Sequence, residues 1–428
     1  MPSTRDMFNL VGALSQPAVD AANREFYGNL TYPWPQMTYP TYADPHWATV
    51  FTNQELGDWT HTRIPQRPRI WVAGCGSNQA TLTALKFPTA EIVATDISVP
   101  SLRVCEKNLA QVGARNVTLK EQSINEADYK DEFDYVICTG VIHHNADPSI
   151  PLARLAAGLK RDGILELMVY NYYHRILTTA YQKAMRYLFM EDPEAGLDEQ
   201  LDVLRDLMNK FPIENMMCYY LKQAKDQSRE FLADSFLQPV EHSYTVESLI
   251  ELLATAEMEL NLPCMFVFDK DTGKLNWNLQ FENEVAASHY EKLPDFARWQ
   301  ITNLLAVEMS PTPFFYAQRF DATTPRKSEK EVCDSFLKTR FARYSTTQTN
   351  YVGSNGNYTY SPTQLPFPSP RVPVDQTVRQ IFKEVSPEKT MGEIFQTLNI
   401  EPTFNLVNHI RLRLTTPLFP YLKAVQQA

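Results

Sequence analysis

Apolar and polar positions change period several times along the chain, and each change marks an element. Arg69 to Ala73 (RIWVA) is a short apolar run that predicts a buried strand. Thr81 to Phe87 follows with helical spacing, and Glu91 to Thr95 (EIVAT) returns to a strand. Ser101 to Val112 places Leu102, Cys105 and Leu109 on one helical stripe, and Val117 to Lys120 predicts a third strand. Phe133 to Cys138 (FDYVIC) is a fourth strand. Leu152, Leu155 and Leu159 then recur with helical spacing over Pro151 to Leu159, and Gly163 to Val169 (GILELMV) is a fifth strand. Strand alternating with helix over 66–170 predicts a parallel, doubly wound sheet.

Beyond it, the period stays helical. Ile176, Leu177, Ala180, Tyr181, Ala184, Met185 and Leu188 share one face, Leu197, Leu201, Leu204 and Met208 another, and Thr245 caps a helix running through Leu253. Strand-like runs return at Cys264 to Phe268 and Pro313 to Arg319, which makes 171–245 a helical insertion into one sheet spanning 66–320. Residues 1–65 form an arm or lid. From Phe26 to Trp59 its prolines are dense enough to predict no helix, while its aromatic rings must pack on something. Ser345 to Pro370 carries no charge and predicts a linker within 321–373. Residues 374–428 read as a small helical unit in which Arg411 and Arg413 lie on a solvated helix face.

Composition narrows the classes. The 428 residues are 44% hydrophobic and 12% aromatic, which is globular rather than disordered. No apolar run reaches the roughly 18 residues of a membrane span, and the N-terminus lacks a basic flank with an apolar core. The net charge of −10 argues against a broad nucleic-acid track. Six cysteines include no C-x-x-C pair, so no metal site is expected, and the cytoplasm is the expected location.

The candidate chemistry starts at the first strand. Gly74-Cys75-Gly76-Ser77-Asn78 forms a turn between strand and helix where backbone can approach a ligand. Asp96, 22 residues after Gly74, closes the second strand, where a carboxylate can hold both ribose hydroxyls. Third comes FDYVICTGVIHHNADP, then a leucine-periodic helix and LKRDGILELMVY.

Together these resemble the class I S-adenosylmethionine-dependent methyltransferases over about residues 26–320. The resemblance implies a Rossmann-like, doubly wound seven-stranded α/β sheet and S-adenosylmethionine as cofactor. By resemblance the cofactor residues are Gly74, Cys75, Gly76 and Asn78 in the turn, and Asp96 with Ile97 at the ribose. Ser123 and Ile124 stand at the adenine, and Thr139 and Gly140 belong to the fourth motif. Three positions depart from the family pattern. Val72 replaces an acid, Asn78 replaces a third glycine and is expected to tolerate left-handed geometry, and Gln122-Ser123-Ile124 lacks the adenine-binding acid.

Methyl transfer needs an aligned acceptor and sometimes a base. His143, His174 and Tyr170 follow strand ends and are the candidate bases; His144 is a packing residue, and Glu166 is expected buried or paired. Tyr27, Tyr32, Tyr172, Tyr173, His242 and Tyr244 are the candidate acceptor contacts. The expected partner is a small-molecule or peptide-like acceptor of natural-product chemistry, methylated on oxygen, with a homodimer left open. A tRNA- or protein-modifying methyltransferase remains an alternative, because the fourth motif also resembles tRNA wobble-uridine modification enzymes. So does a non-catalytic S-adenosylmethionine-binding protein.

Overall fold

The computed structural model describes residues 15–29, 36–190, 192, 195–354, 356–368 and 375–426. Its first strand, β1 (Thr38–Tyr42), lies outside the main sheet. The main sheet is built from β2 (Arg69–Ala73), β3 (Glu91–Asp96), β4 (Val117–Glu121), β5 (Phe133–Thr139), β6 (Leu159–Met168), β7 (Met258–Pro263) and β8 (Phe314–Arg319). Their order is β4-β3-β2-β5-β6-β8-β7, with β2 to β6 parallel and β8 antiparallel to both neighbours. The order reverses beside β2, which opens a crevice at the carboxyl ends of β2 and β5.

Period-two alternation divides each strand between two cores. Trp71, Val93, Val136, Cys138, Leu165 and Leu167 face helices Ser149–Gly158 and Val246–Ala254. Ile70, Val72, Ile92, Ala94, Tyr135, Ile137 and Tyr316 face helices Trp47–Glu55, Gln79–Lys86 and Val99–Val112. Helices Tyr172–Leu188, Leu197–Asn209, Met216–Ala224 and Arg229–Phe236 fill the stretch 171–245, and their shared core takes Phe26 from the N-terminal helix.

Several expectations are corrected. Phe26 and Tyr27 belong to a helix, Gln16–Asn29, and Trp47–Glu55 is another. Within the first helix the only proline, Pro17, sits in the opening turn, where no N–H is missed, and Pro45 precedes the second. The strand expected at Cys264 to Phe268 is instead β7, because Met258, Leu260 and Leu262 are its buried positions. A register shift near Pro263 ends the ladder, and Val267–Thr272 winds into a helix.

Nor is Ser345 to Pro370 a linker. It holds β9 (Thr346–Ser354) and β10 (Asn357–Phe367), a hairpin that pairs with β1 in the order β1-β9-β10. Thr, Tyr and Val favour a strand without needing charge, and Tyr358 packs with Tyr39 and Val112 on the main domain. The tail helices Gln376–Glu384, Met391–Thr397 and Phe404–Thr415 share one core with Phe336 and Phe341. Arg411 is not solvated: it is 1% exposed and donates to Asn408 Oδ1 at 2.8 and 3.1 Å.

Candidate functional site

The site grows from the end of β2. Gly74 has φ +70° and Gly76 φ +51°, left-handed values that glycine adopts without strain. The Gly74 and Cys75 N–H groups donate to the Thr95 carbonyl at 2.8 and 2.9 Å, which ties the turn to β3. Asn78 does not need the left-handed geometry expected of it. Its φ is −129°, and its Oδ1 accepts from the Tyr39 hydroxyl at 2.8 Å as it leads into helix Gln79–Lys86. Asp96 ends β3 and accepts from Gly76 N–H at 2.7 Å and Ser98 N–H at 2.8 Å. Burial raises its pKa, and those backbone donors oppose the rise.

Past β4 the chain turns through Ser123, whose hydroxyl donates to Asp20 Oδ2 at 3.2 Å. Asp20 comes from helix Gln16–Asn29, which lies across the crevice. Gln16 accepts from Ala146 N–H at 3.0 Å, and Asn23 Nδ2 donates to the His144 carbonyl at 2.8 Å. Sequence reasoning missed Asp20 and Asn23, because nothing local in their helix marks them.

The resulting cleft has a volume of about 970 Å³, at the upper end for small-molecule sites. The turn residues Gly74, Cys75, Gly76 and Asn78 line it, as do Asp96, Ile97, Ser123, Ile124, Thr139 and Gly140. Tyr170, His174 and Tyr27 also line it. Other candidates do not. His143 is fully buried behind the wall, its ring 4.1 Å from that of Tyr170, with neither nitrogen partnered among the described residues. Burial lowers its pKa, so it stays neutral there.

His242 ties to the Asn145 carbonyl at 3.0 Å, and Tyr244 exchanges backbone bonds with Tyr170 and Tyr172; neither side chain lines the cleft. Tyr172 and Tyr173 also lie off it, with Tyr172 exposed. A parallel bridge between Asn171 and Tyr244 clasps the two segments at the strand end, with Tyr244 buried in the core. Tyr32 lies outside the described residues. His144 holds the Val240 carbonyl through Nδ1 at 2.9 Å, and burial lowers its pKa to about 4.

Of the two histidines named as candidate bases, His174 is the one that lines the cleft. Its Nε2 faces the Ser310 carbonyl at 3.0 Å. A carbonyl only accepts, so Nε2 carries the hydrogen and Nδ1 keeps the lone pair. Burial lowers its pKa and keeps the ring neutral near pH 7.

Deeper, the cleft passes below the strand ends to Glu55, Tyr135, Glu166, Cys264 and Tyr316. Glu55 Oε2 accepts from the Tyr316 hydroxyl at 2.7 Å and Oε1 from Met265 N–H at 2.9 Å. Glu166 accepts from the Tyr135 hydroxyl. Burial raises both carboxyl pKa values, that of Glu55 to about 7. No salt bridge joins either acid to a basic side chain among the described residues. Glu55 and Tyr316 escaped sequence reasoning because only the packing of helix Trp47–Glu55 on β8 joins them.

The glycine turn at β2, the acid at the end of β3, the strand order and the cleft meet at one place. Residues 73–210 also match a family described as a methyltransferase domain. Residues 73–210 form a methyltransferase domain, and the seven-stranded sheet has the Rossmann-like methyltransferase fold. The methyltransferase domain has relatives beyond that match. An uncharacterised protein of Synechococcus sp., syc1184_c, is 28% identical over 261 residues, 59% of this chain and 61% of that one. The release factor glutamine methyltransferase of Neisseria gonorrhoeae is 36% identical over 93 residues, 22% of this chain and 31% of that one. The chain thus spans under two thirds of the length of these curated relatives. Among solved structures, PKMT2 from Rickettsia typhi in complex with AdoHcy matches with a TM-score of 0.56 at 14% identity, covering 92% of this chain and 78% of that one. That likeness is one of fold.

Proposed function

We propose that this protein transfers a methyl group from S-adenosylmethionine to a small-molecule or peptide-like acceptor, on oxygen. The observation that carries the reading is the continuity of one cleft from the glycine turn and Asp96 to His174 and the buried acids. The residues fit the cofactor. Gly74 and Gly76 leave room for close backbone approach, and the Asp96 oxygens keep lone pairs for ribose hydroxyls. When bound, S-adenosylmethionine supplies a methyl carbon activated by a sulfonium.

The chain's own residues orient the acceptor and manage its proton. A hydroxyl must lose a proton to become a good nucleophile, and two groups in the cleft can take it. These are Nδ1 of His174 and the carboxyl of Glu55, which is half ionised near pH 7. Tyr170 is held by the Arg175 guanidinium 4.5 Å over its ring, so it shapes the wall beside His174. A protein acceptor is the second reading. It is favoured by Val267 and Phe268, which line the cleft yet stay 52% and 63% exposed, an apolar rim suited to a larger partner.

Titration calorimetry with S-adenosylhomocysteine tests the cofactor. Binding by the wild type that falls at least about tenfold in Asp96→Ala supports the reading. A folded protein that binds none refutes it. Labelled methyl donor offered to cell extract, then split into small-molecule, protein and RNA fractions, tests the acceptor. Label found only in RNA overturns the proposal.

A further inference from the structure

Building on the cofactor reading above, we infer that Asp20 and Asn23, on the N-terminal helix, read the adenine base and select a 6-aminopurine nucleoside. The direction of the nucleoside follows from the strand order. The glycine turn ends β2, the ribose acid Asp96 ends β3, and β4 is the next strand outward. Two strand spacings, about 10 Å, carry a nucleoside from the turn to the end of β4, where the base meets Gln122, Ser123 and Ile124. That loop has no carboxylate to accept from the exocyclic amino group.

The missing acceptors arrive from a different element. Asp20 lines the cleft at this spot, with Oδ2 bonded to the Ser123 hydroxyl at 3.2 Å and Oδ1 to Asn125 Nδ2 at 3.3 Å and Gln16 Nε2 at 2.7 Å. These bonds fix the carboxylate without exhausting its lone pairs. Asn23, one helical turn later, lines the same cleft and is 5% exposed. Its Nδ2 is committed to the His144 carbonyl at 2.8 Å, which fixes the amide's orientation. Its Oδ1 has no partner among the described residues. A buried amide oxygen without a donor is costly, and an N–H of the base relieves that cost. Two fixed acceptors therefore face the position of a group that has two N–H donors. Hypoxanthine, with a carbonyl oxygen at the same position, meets repulsion instead of hydrogen bonds.

Calorimetry on the full chain tests this, with S-adenosylhomocysteine and its deaminated analogue S-inosylhomocysteine as probes. The wild type is expected to prefer the adenine compound by at least about tenfold. In Asp20→Asn the new amide can donate to the purine oxygen, and the ratio is expected to fall to near one. Phe26→Leu loosens the packing of the same helix without touching either acceptor, and it should keep the wild-type ratio even if both affinities drop. A wild type that binds both compounds equally overturns the inference, as does an Asp20→Asn protein that keeps the full ratio. If Asp96→Ala abolishes binding while the ratio is indifferent to Asp20, the cofactor reading stands and only the adenine assignment falls. If the folded wild type binds neither compound, both fall.

Discussion

Gly74→Ala adds one methyl group at the tightest point of the site. Gly74 sits at φ +70°, and a Cβ built there would lie 2.5 Å from Cγ2 and 2.8 Å from Cγ1 of Val141. Two costs follow. Left-handed backbone costs an alanine roughly 1–2 kcal/mol. Forcing Val141 aside is an overpacking cost of about 1–3 kcal/mol. The variant should therefore lose about 2–5 kcal/mol, read as a lower urea midpoint at unchanged slope. Cofactor affinity should fall too, because Val141 follows Thr139 and Gly140 along the cleft wall.

A second substitution separates the two costs. Val141→Ala removes both clashing methyls, so the double variant should recover the overpacking share and keep about 1–2 kcal/mol of backbone strain. Urea unfolding of the four proteins in the cycle measures the coupling. A Gly74→Ala protein as stable as the wild type would refute the reasoning. Additive effects of the two substitutions would show that Val141 is not what the new methyl strikes.

Other expectations concern the buried charges. Glu55 has a pKa of about 7 in the fold against an ordinary 4.5, so folding favours its protonated form. The stabilisation is complete below about pH 4.5 and is lost as pH rises through 7, by up to roughly 3 kcal/mol. Glu55→Gln should flatten that part of the pH dependence between pH 5 and 8, and an unchanged profile in urea unfolding would contradict it. Arg175→Met leaves Glu241, whose side chain is fully buried, without the guanidinium that donates to it through Nε at 2.7 Å. That variant should lose about 3–5 kcal/mol, and a melting temperature close to wild type would show that the pair is not needed. His174→Ala should slow turnover without weakening S-adenosylhomocysteine binding, and full turnover would remove the residue from proton transfer.

Local rules carried the sequence reading far. The first five strands of the sheet, the glycine turn and Asp96 were legible because period-two runs, left-handed glycines and a strand-end acid each act within a few residues. Helix Val246–Ala254 was legible for the same reason, through the Thr245 cap. What misled was composition without partners. The uncharged stretch Ser345 to Pro370 reads as a linker until β1 and Tyr39 supply something to pair and pack with. Arg411 reads as solvated until Asn408 and the carbonyl of Glu55 enclose it.

The same division runs through the site. Sequence alone determined that a glycine turn and a strand-end acid lie on neighbouring strands, because both are consecutive features of one βαβ unit. Only the tertiary structure decided what closes over them. Asp20 lies 103 residues from Ser123 in the chain, and Glu55 lies 261 from Tyr316. Hydrogen bonds across such distances leave no local spacing to read; they exist because two helices from the N-terminal part of the chain, Gln16–Asn29 and Trp47–Glu55, both border the cleft. That packing brought two acids into the cleft, walled His143 off, and left His174 on the cleft wall.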